Sequence, residues 1–149
     1  MKTLSRLATV VALVAMAIVP MHADQIVSAS GLPEAAKSFI AKNYATVGVR
    51  ECERDDDGHY DVELKNGVDM EFSEAGKLMK IDAGRHKVSK SILKSILPTK
   101  VYAELEERKV LSKVEEVELN RYNIKIDIRQ MWDDELIFDL EGNLLQITD

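Results

Sequence analysis

A ten-residue pattern that occurs twice constrains this chain more than any other feature. Phe72-Ser73-Glu74-Ala75-Gly76-Lys77-Leu78-Met79-Lys80-Ile81 returns as Phe138-Asp139-Leu140-Glu141-Gly142-Asn143-Leu144-Leu145-Gln146-Ile147, with Phe, Gly, Leu and Ile at the same four places. Each copy reads as a strand, a tight turn carrying glycine, and a second strand. Glycine supplies the positive φ of such a turn without a Cβ clash. A chain built on two such hairpins is a tandem-repeat α+β protein.

The rest of each repeat falls into place around its hairpin. Leu32-Pro33 opens a helix, with proline expected at the first helical position, and Ala36, Phe39 and Ile40 form its apolar stripe. Val47 to Arg54 is the first strand, Asp55-Asp56-Asp57-Gly58 its turn, and Tyr60-Asp61-Val62-Glu63-Leu64 alternates as a half-buried strand does. Asn66-Gly67 marks a hairpin, after which Val68, Met70 and Phe72 alternate with Asp69 and Glu71. Past Gly76, Met79 and Ile81 are expected on one side and Lys80 on the other. Asp24 to Gly31 reads as a polar lead without periodicity.

Asp82 to Lys87 reads as a linker, and Ile92, Leu93 and Ile96 predict a short helix that joins the halves. Leu97-Pro98 then restarts the pattern, with Val101, Tyr102 and Leu105 as the second stripe. The spacing of Val114, Val117 and Leu119 implies a bulged or twisted strand. Tyr122, Ile124 and Ile126 align with Tyr60, Val62 and Leu64, which leaves the second charged turn three residues shorter. Two helix-plus-four-strand units, about 32–82 and 97–148, join most simply into one antiparallel sheet with helices packed on one face.

The first 23 residues read as an export signal. Lys2 and Arg6 precede the apolar run Leu7 to Val19, Pro20 breaks it, and cleavage after Ala23 is expected. Residues 24–149 then form a single domain, periplasmic or secreted. Removal of Lys2 and Arg6 shifts the charge from 20 − 26 = −6 to 18 − 26 = −8. That balance disfavours nucleic acid and, after signal cleavage, an anionic membrane surface as partners. Cys52 is the only cysteine, so no disulfide forms within the chain. Its place in a strand predicts a buried, inert thiol.

Taken together, the Leu-Pro helix starts at Leu32-Pro33 and Leu97-Pro98, the Tyr-x-Val/Ile-x-Leu/Ile strands at Tyr60 and Tyr122, and the Phe-x-x-x-Gly hairpins at Phe72 and Phe138 resemble the PepSY-like family of secreted bacterial proteins. That family is also described as having a β-lactamase-inhibitor-protein-like fold. The resemblance spans both halves and implies a fold and a periplasmic address. It supplies no catalytic residues. The inhibitory segments and the β-lactamase inhibitor among its relatives are fold analogy only.

Catalytic chemistry finds little purchase, and no catalytic residue, metal site or cofactor is expected. His59 and His86 lack ligand spacing. Asp55-Asp56-Asp57-Gly58 lacks the alternating ligands of a calcium loop and reads as a solvated turn. The serines Ser73, Ser89, Ser91 and Ser95 have no nucleophile-elbow context, and the acids on alternating strands read as the wet face of a sheet.

Two features carry the binding hypotheses. Five residues separate Leu64 from Met70, but nine separate Ile126 from Leu136. The longer connection holds Met131, Trp132, Asp133 and Asp134, and Trp132 is the only tryptophan. Tryptophan and methionine suit the centre of an interface, although a single large apolar residue also serves to cover a core end. The second feature is the polar sheet face: Asp61, Glu63, Asp69, Glu71 and Lys80, with Asn123, Lys125, Asp127, Glu135 and Gln146. The expectation is a non-enzymatic module of the cell envelope that binds a protein or peptide. The alternative is an inhibitor of a secreted peptidase or other hydrolase. Oligomeric state is left open.

Overall fold

The computed structural model describes residues 25–129 and 133–148. The export segment, Met131 and Trp132 therefore lie outside the described residues.

Among the described residues, alternating strands build one nine-stranded sheet in strict sequence order, every neighbouring pair antiparallel. The first half contributes β1 (Gln25–Ile26), α1 (Glu34–Asn43), β2 (Val49–Arg54), β3 (Tyr60–Leu64), β4 (Asp69–Phe72) and β5 (Leu78–Asp82). After α2 (Lys90–Ile96) come α3 (Thr99–Glu107), β6 (Val114–Leu119), β7 (Ile124–Arg129), β8 (Asp133–Phe138) and β9 (Leu144–Thr148). The α+β reading holds. The polar lead adds one strand to it: Gln25 and Ile26 pair with Arg54 and Glu53.

One row of side chains explains how both halves share a core. Cys52, Val62, Met70, Ile81, Val117, Ile126, Leu136 and Ile147 stand opposite one another from β2 to β9. The first seven are at most 3% exposed. Ala36 and Ile40 of α1, Ile92 and Leu93 of α2, and Val101 and Leu105 of α3 close over the same face, in one cluster. Cys52 lies within it as a free thiol, and burial, then Asp61 and Glu53, pushes its pKa up. That suppresses the reactive thiolate.

Each helix start is locked to its hairpin glycine. Gly76 and Gly142 have φ of 81° and 84°. A Cβ on Gly76 would sit 2.8 Å from Pro33 Cβ and 2.9 Å from the Ala36 nitrogen; one on Gly142 would meet Lys100 Cβ at 3.0 Å. The glycines therefore serve a close helix–turn approach as well as the turn itself. The prolines sit one position earlier than expected. Pro33 and Pro98 have extended ψ (147° and 144°), and their carbonyls accept from the Lys37 and Tyr102 N–H groups. That is the N-cap role, one residue before the first helical position.

Three sequence alignments are corrected by the register. Tyr60 pairs with Phe72, and the residue paired with Phe138 is Ile124, so Ile124, not Tyr122, is the counterpart of Tyr60. Tyr122 lies in the preceding turn and is 73% exposed. The charged turn between Arg54 and Tyr60 holds five residues and its counterpart between Leu119 and Ile124 four, a loss of one. Past Gly76, Phe72 pairs with Leu78 and Met70 with Ile81, so Leu78 and Ile81 are the buried residues and Met79 is the extra residue of a bulge. The bulge expected near Val114 is present between Val114 and Glu116, and the same irregularity recurs between Val49 and Glu51.

Candidate functional site

The face of the sheet opposite the helices carries an unbroken row of carboxylates. Glu51, Glu63, Asp69, Asp82, Glu116, Asp127 and Glu135 stand directly opposite one another across seven strands, and the row ends at Thr148. Beside it runs Glu53, Asp61, Glu71, Lys80, Glu118, Lys125, Ile137 and Gln146. Like charges directly opposite on a sheet cost stability, so this row is a burden the fold itself does not require. An open depression of about 420 Å³ lies over the first half of the face, lined by Glu51, Glu53, Asp61, Glu63, Asp69, Glu71, Lys80 and Asp82, with Val62 and Met70 contributing.

Cations at bulges and at the junction of the halves partly offset the crowding. Arg50, the extra residue of the β2 bulge, donates to Glu63 at 2.7 Å. Its counterpart in β6 is Glu115, which takes Lys87 Nζ at 2.8 Å and pairs with Arg129. Lys80 Nζ lies 2.8 Å from Glu116 across the β5–β6 seam, and that hydrogen bond raises the lysine pKa. Lys125 approaches Glu118 at 3.8 Å, and His59 Nδ1 lies 3.5 Å from both Asp55 and Glu71.

Residual crowding shows in the acids. Asp69 is pushed up by loss of hydration, then by Glu63 and Asp82; Asp127 by loss of hydration, then by Glu116 and Glu135. Glu71 rises through loss of hydration and Asp61. A surface of this kind attracts cationic groups and repels anionic ones. Among the described residues, no group of three or more His, Cys, Asp or Glu is arranged to hold a metal ion.

Most of the polar-face residues expected from the sequence come together here: Asp61, Glu63, Asp69, Glu71, Lys80, Lys125, Asp127, Glu135 and Gln146. Asn123 does not, since it lies in the β6–β7 turn and bonds Asn120. Sequence reasoning missed Glu51, Glu53, Asp82, Glu116 and Glu118. Glu51 and Glu116 come directly after bulges that interrupt the period-two pattern, and Asp82 reads in sequence as the start of a linker. The signal for the others was only the acid in every second place of a strand.

Of the longer hairpin, Asp133 and Asp134 are paired with Arg129 and Ile128, as strand residues rather than loop. Five residues lie between Ile128 and Asp134, against three between Leu64 and Val68, whose N–H and C=O close the first hairpin. The second connection is therefore two residues longer, not four. The Arg129–Asp133 pair from which it springs adjoins the acidic row, because Asp127 and Glu135 pair two positions further in.

A family model described as "Putative beta-lactamase-inhibitor-like, PepSY-like" matches residues 19–80 and again 81–146. Comparison with curated proteins finds no match. Three solved structures share the fold. A "putative calcium-regulated periplasmic protein" from Bacteroides thetaiotaomicron is 22% identical, with a TM-score of 0.75 over 85% of this chain and 97% of its own. A "putative periplasmic protein of unknown function" from Bacteroides vulgatus is 22% identical, with a TM-score of 0.72 over 85% and 100%. A second Bacteroides vulgatus protein, from the DUF2874 family, is 19% identical, with a TM-score of 0.76 over 85% and 97%. Two consecutive matches, one for each half of the sheet, show that this chain belongs to the PepSY-like family.

Proposed function

We propose that this protein is a non-enzymatic module of the bacterial cell envelope that holds a basic segment of another protein, or a basic peptide, across its acidic sheet face. The observation that carries the reading is the row of seven carboxylates from Glu51 to Glu135. A partner that brings lysine or arginine to the row converts mutual repulsion into attraction, and the open depression over β2 to β5 gives an extended segment room to lie. We assign the second contact to the segment Met131, Trp132, Asp133 and Asp134, with Trp132 as its aromatic anchor. The envelope address rests on the signal-like start of the sequence, and periplasmic naming of proteins with the same fold is consistent with it.

Calorimetric titration with a lysine-rich peptide tests this. Binding is expected at low salt and should weaken steeply between about 0.05 and 0.5 M salt, as charges become screened. Replacement of Asp69 and Asp127 by asparagine together should weaken it by about tenfold or more. Trp132→Ala should weaken it with little change in salt dependence. Binding that ignores both salt and the acid substitutions would remove the acidic face from the mechanism.

The family description favours a second reading, inhibition of a secreted hydrolase. Its test is direct: the purified protein is added to secreted peptidases and β-lactamases. A loss of turnover that depends on Trp132 supports inhibition, and unchanged turnover across the panel leaves simple binding.

A further inference from the structure

We infer that β9 is the seam of a two-fold dimer, in which a second copy of this chain adds its own β9 antiparallel to the first and makes one continuous sheet. The fold itself shows what an uncovered hairpin strand lacks. β5 and β9 are equivalent strands of the two repeats, each placed directly after the glycine turn. β5 is flanked by β6, and its inward Ile81 is fully buried. Among the described residues β9 is the last strand of the sheet, and Ile147, at the same position of the core row, is 46% exposed. Leu145, the inserted residue of the β8–β9 bulge as Met79 is of β5, is 62% exposed.

An edge strand of this kind usually carries a lysine, a proline or another charge that discourages pairing. Leu144-Leu145-Gln146-Ile147-Thr148 carries none of these. The outer face is equally bare there, because the two polar rows end in Thr148 and Gln146, both uncharged.

Comparison with β5 identifies the occupant. β5 receives a strand rich in acid: Lys80 stands opposite Glu118 and bonds Glu116. The counterpart of Lys80 in β9 is Gln146. A neutral amide gives an acidic strand no counter-charge, but it is complementary to itself, donating through its NH₂ and accepting through its oxygen. With Gln146 opposite Gln146 of the second copy, the two Ile147 side chains flank that pair on the helix side of the sheet. Ile147 of both copies is then covered at the seam, and the helices of both copies lie on the same side of the joined sheet. Such a contact is isologous and closes at two copies.

Sedimentation of the purified protein over a concentration series is the first measurement, with a mass rising to twice the monomer as the expected result. Ile147→Lys should return the monomer at every concentration while its thermal midpoint stays within a degree or two of the parent. Gln146→Cys should be joined to a covalent dimer by oxidation or a short bis-maleimide, since Cys52 is buried and does not compete. A protein that stays monomeric at its highest soluble concentration overturns the inference and leaves the edge to an extended peptide from elsewhere. A dimer that survives Ile147→Lys, or that the Gln146→Cys variant does not cross-link, overturns it too, because the contact must then lie on another surface.

Discussion

The two halves of the sheet differ least where they are buried and most where they are wet. Along the core row Cys52 stands for Val117, Val62 for Ile126, Met70 for Leu136 and Ile81 for Ile147: every exchange is apolar and close in volume. On the opposite face the second polar row keeps its acid only at Glu53 and Glu118, while Asp61, Glu71 and Lys80 of the first half are answered by Lys125, Ile137 and Gln146. The carboxylate row behaves differently. Glu51 is answered by Glu116, Glu63 by Asp127 and Asp69 by Glu135, and only Asp82 gives way, to Thr148 at the sheet edge. Packing explains why the core is kept, but nothing in packing asks for acid in a row where acid faces acid. That contrast separates what the fold needs from what a partner would need.

The largest expected effects test whether the halves are equally anchored. Phe72 and Phe138 are both fully buried, so truncation of either to alanine should cost about 3–5 kcal/mol, read from chemical denaturation. The losses should not be equal. Phe39 meets Phe72 edge to face, with centroids 6.0 Å apart, whereas the residue of α3 in the place of Phe39 is Glu104, which bonds Arg108 at 2.8 Å. Phe72→Ala should therefore exceed Phe138→Ala by about 0.5–1.5 kcal/mol, the usual worth of an aromatic pair. A larger loss at Phe138 would break the comparison and make the second half the principal anchor.

The glycine pair sharpens it at the next level down. Alanine at either position must hold a left-handed φ, and at Gly76 its Cβ would also press on Pro33 and the α1 backbone, where little can give way. Gly142 faces Lys100 Cβ and Val101 Cγ2 at 3.0 and 3.3 Å, a milder approach. Gly76→Ala is expected to cost about 2–3 kcal/mol and Gly142→Ala about 1–2 kcal/mol. Equal losses would mean that backbone strain alone sets the cost, and that the helix contact contributes nothing.

These glycines also show how far the sequence could be read. Their turn role was legible from the repeat, as were the helix stripes, because period and punctuation are local signals. Their second role was not, since the approach of Gly76 to Pro33 joins residues that only the folded sheet brings together. The alignment of Tyr122 with Tyr60 failed for a related reason: a similar tyrosine-led alternation carries on through Ile124 and Ile126, and only the pairing of Ile124 with Phe138 fixes the register. Of the candidate site, the acids on regularly alternating strands were legible and those next to bulges were not. Arg50 and Glu115 are each an inserted residue, and each reverses the in-and-out parity for the remainder of its strand.

The smallest expected effect bears on the carboxylate row itself. In the folded protein Asp69 and Asp127 titrate above the ordinary aspartate value of 3.8, and Glu71 above the ordinary glutamate value of 4.5. Each group therefore binds its proton more readily folded than unfolded, and stability falls as pH rises through the folded-state value. Acidification from neutrality should accordingly raise the thermal midpoint until pH nears the unfolded-state values, the opposite of the usual acid loss. Asp139, held below the ordinary range by Asn143, acts in the other direction only at lower pH still. Asp69→Asn and Asp127→Asn should each stabilise the protein at pH 7 by a few tenths of a kcal/mol, and by at most about 1 kcal/mol, because both residues sit on a wet face. Together they should flatten the rise in midpoint between neutral and mildly acidic pH. If the midpoint instead falls steadily on acidification, and does so equally in the double variant, the row is not under mutual strain. The acid shared by the two halves would then be an ordinary solvated surface, with no stored repulsion for a basic partner to relieve.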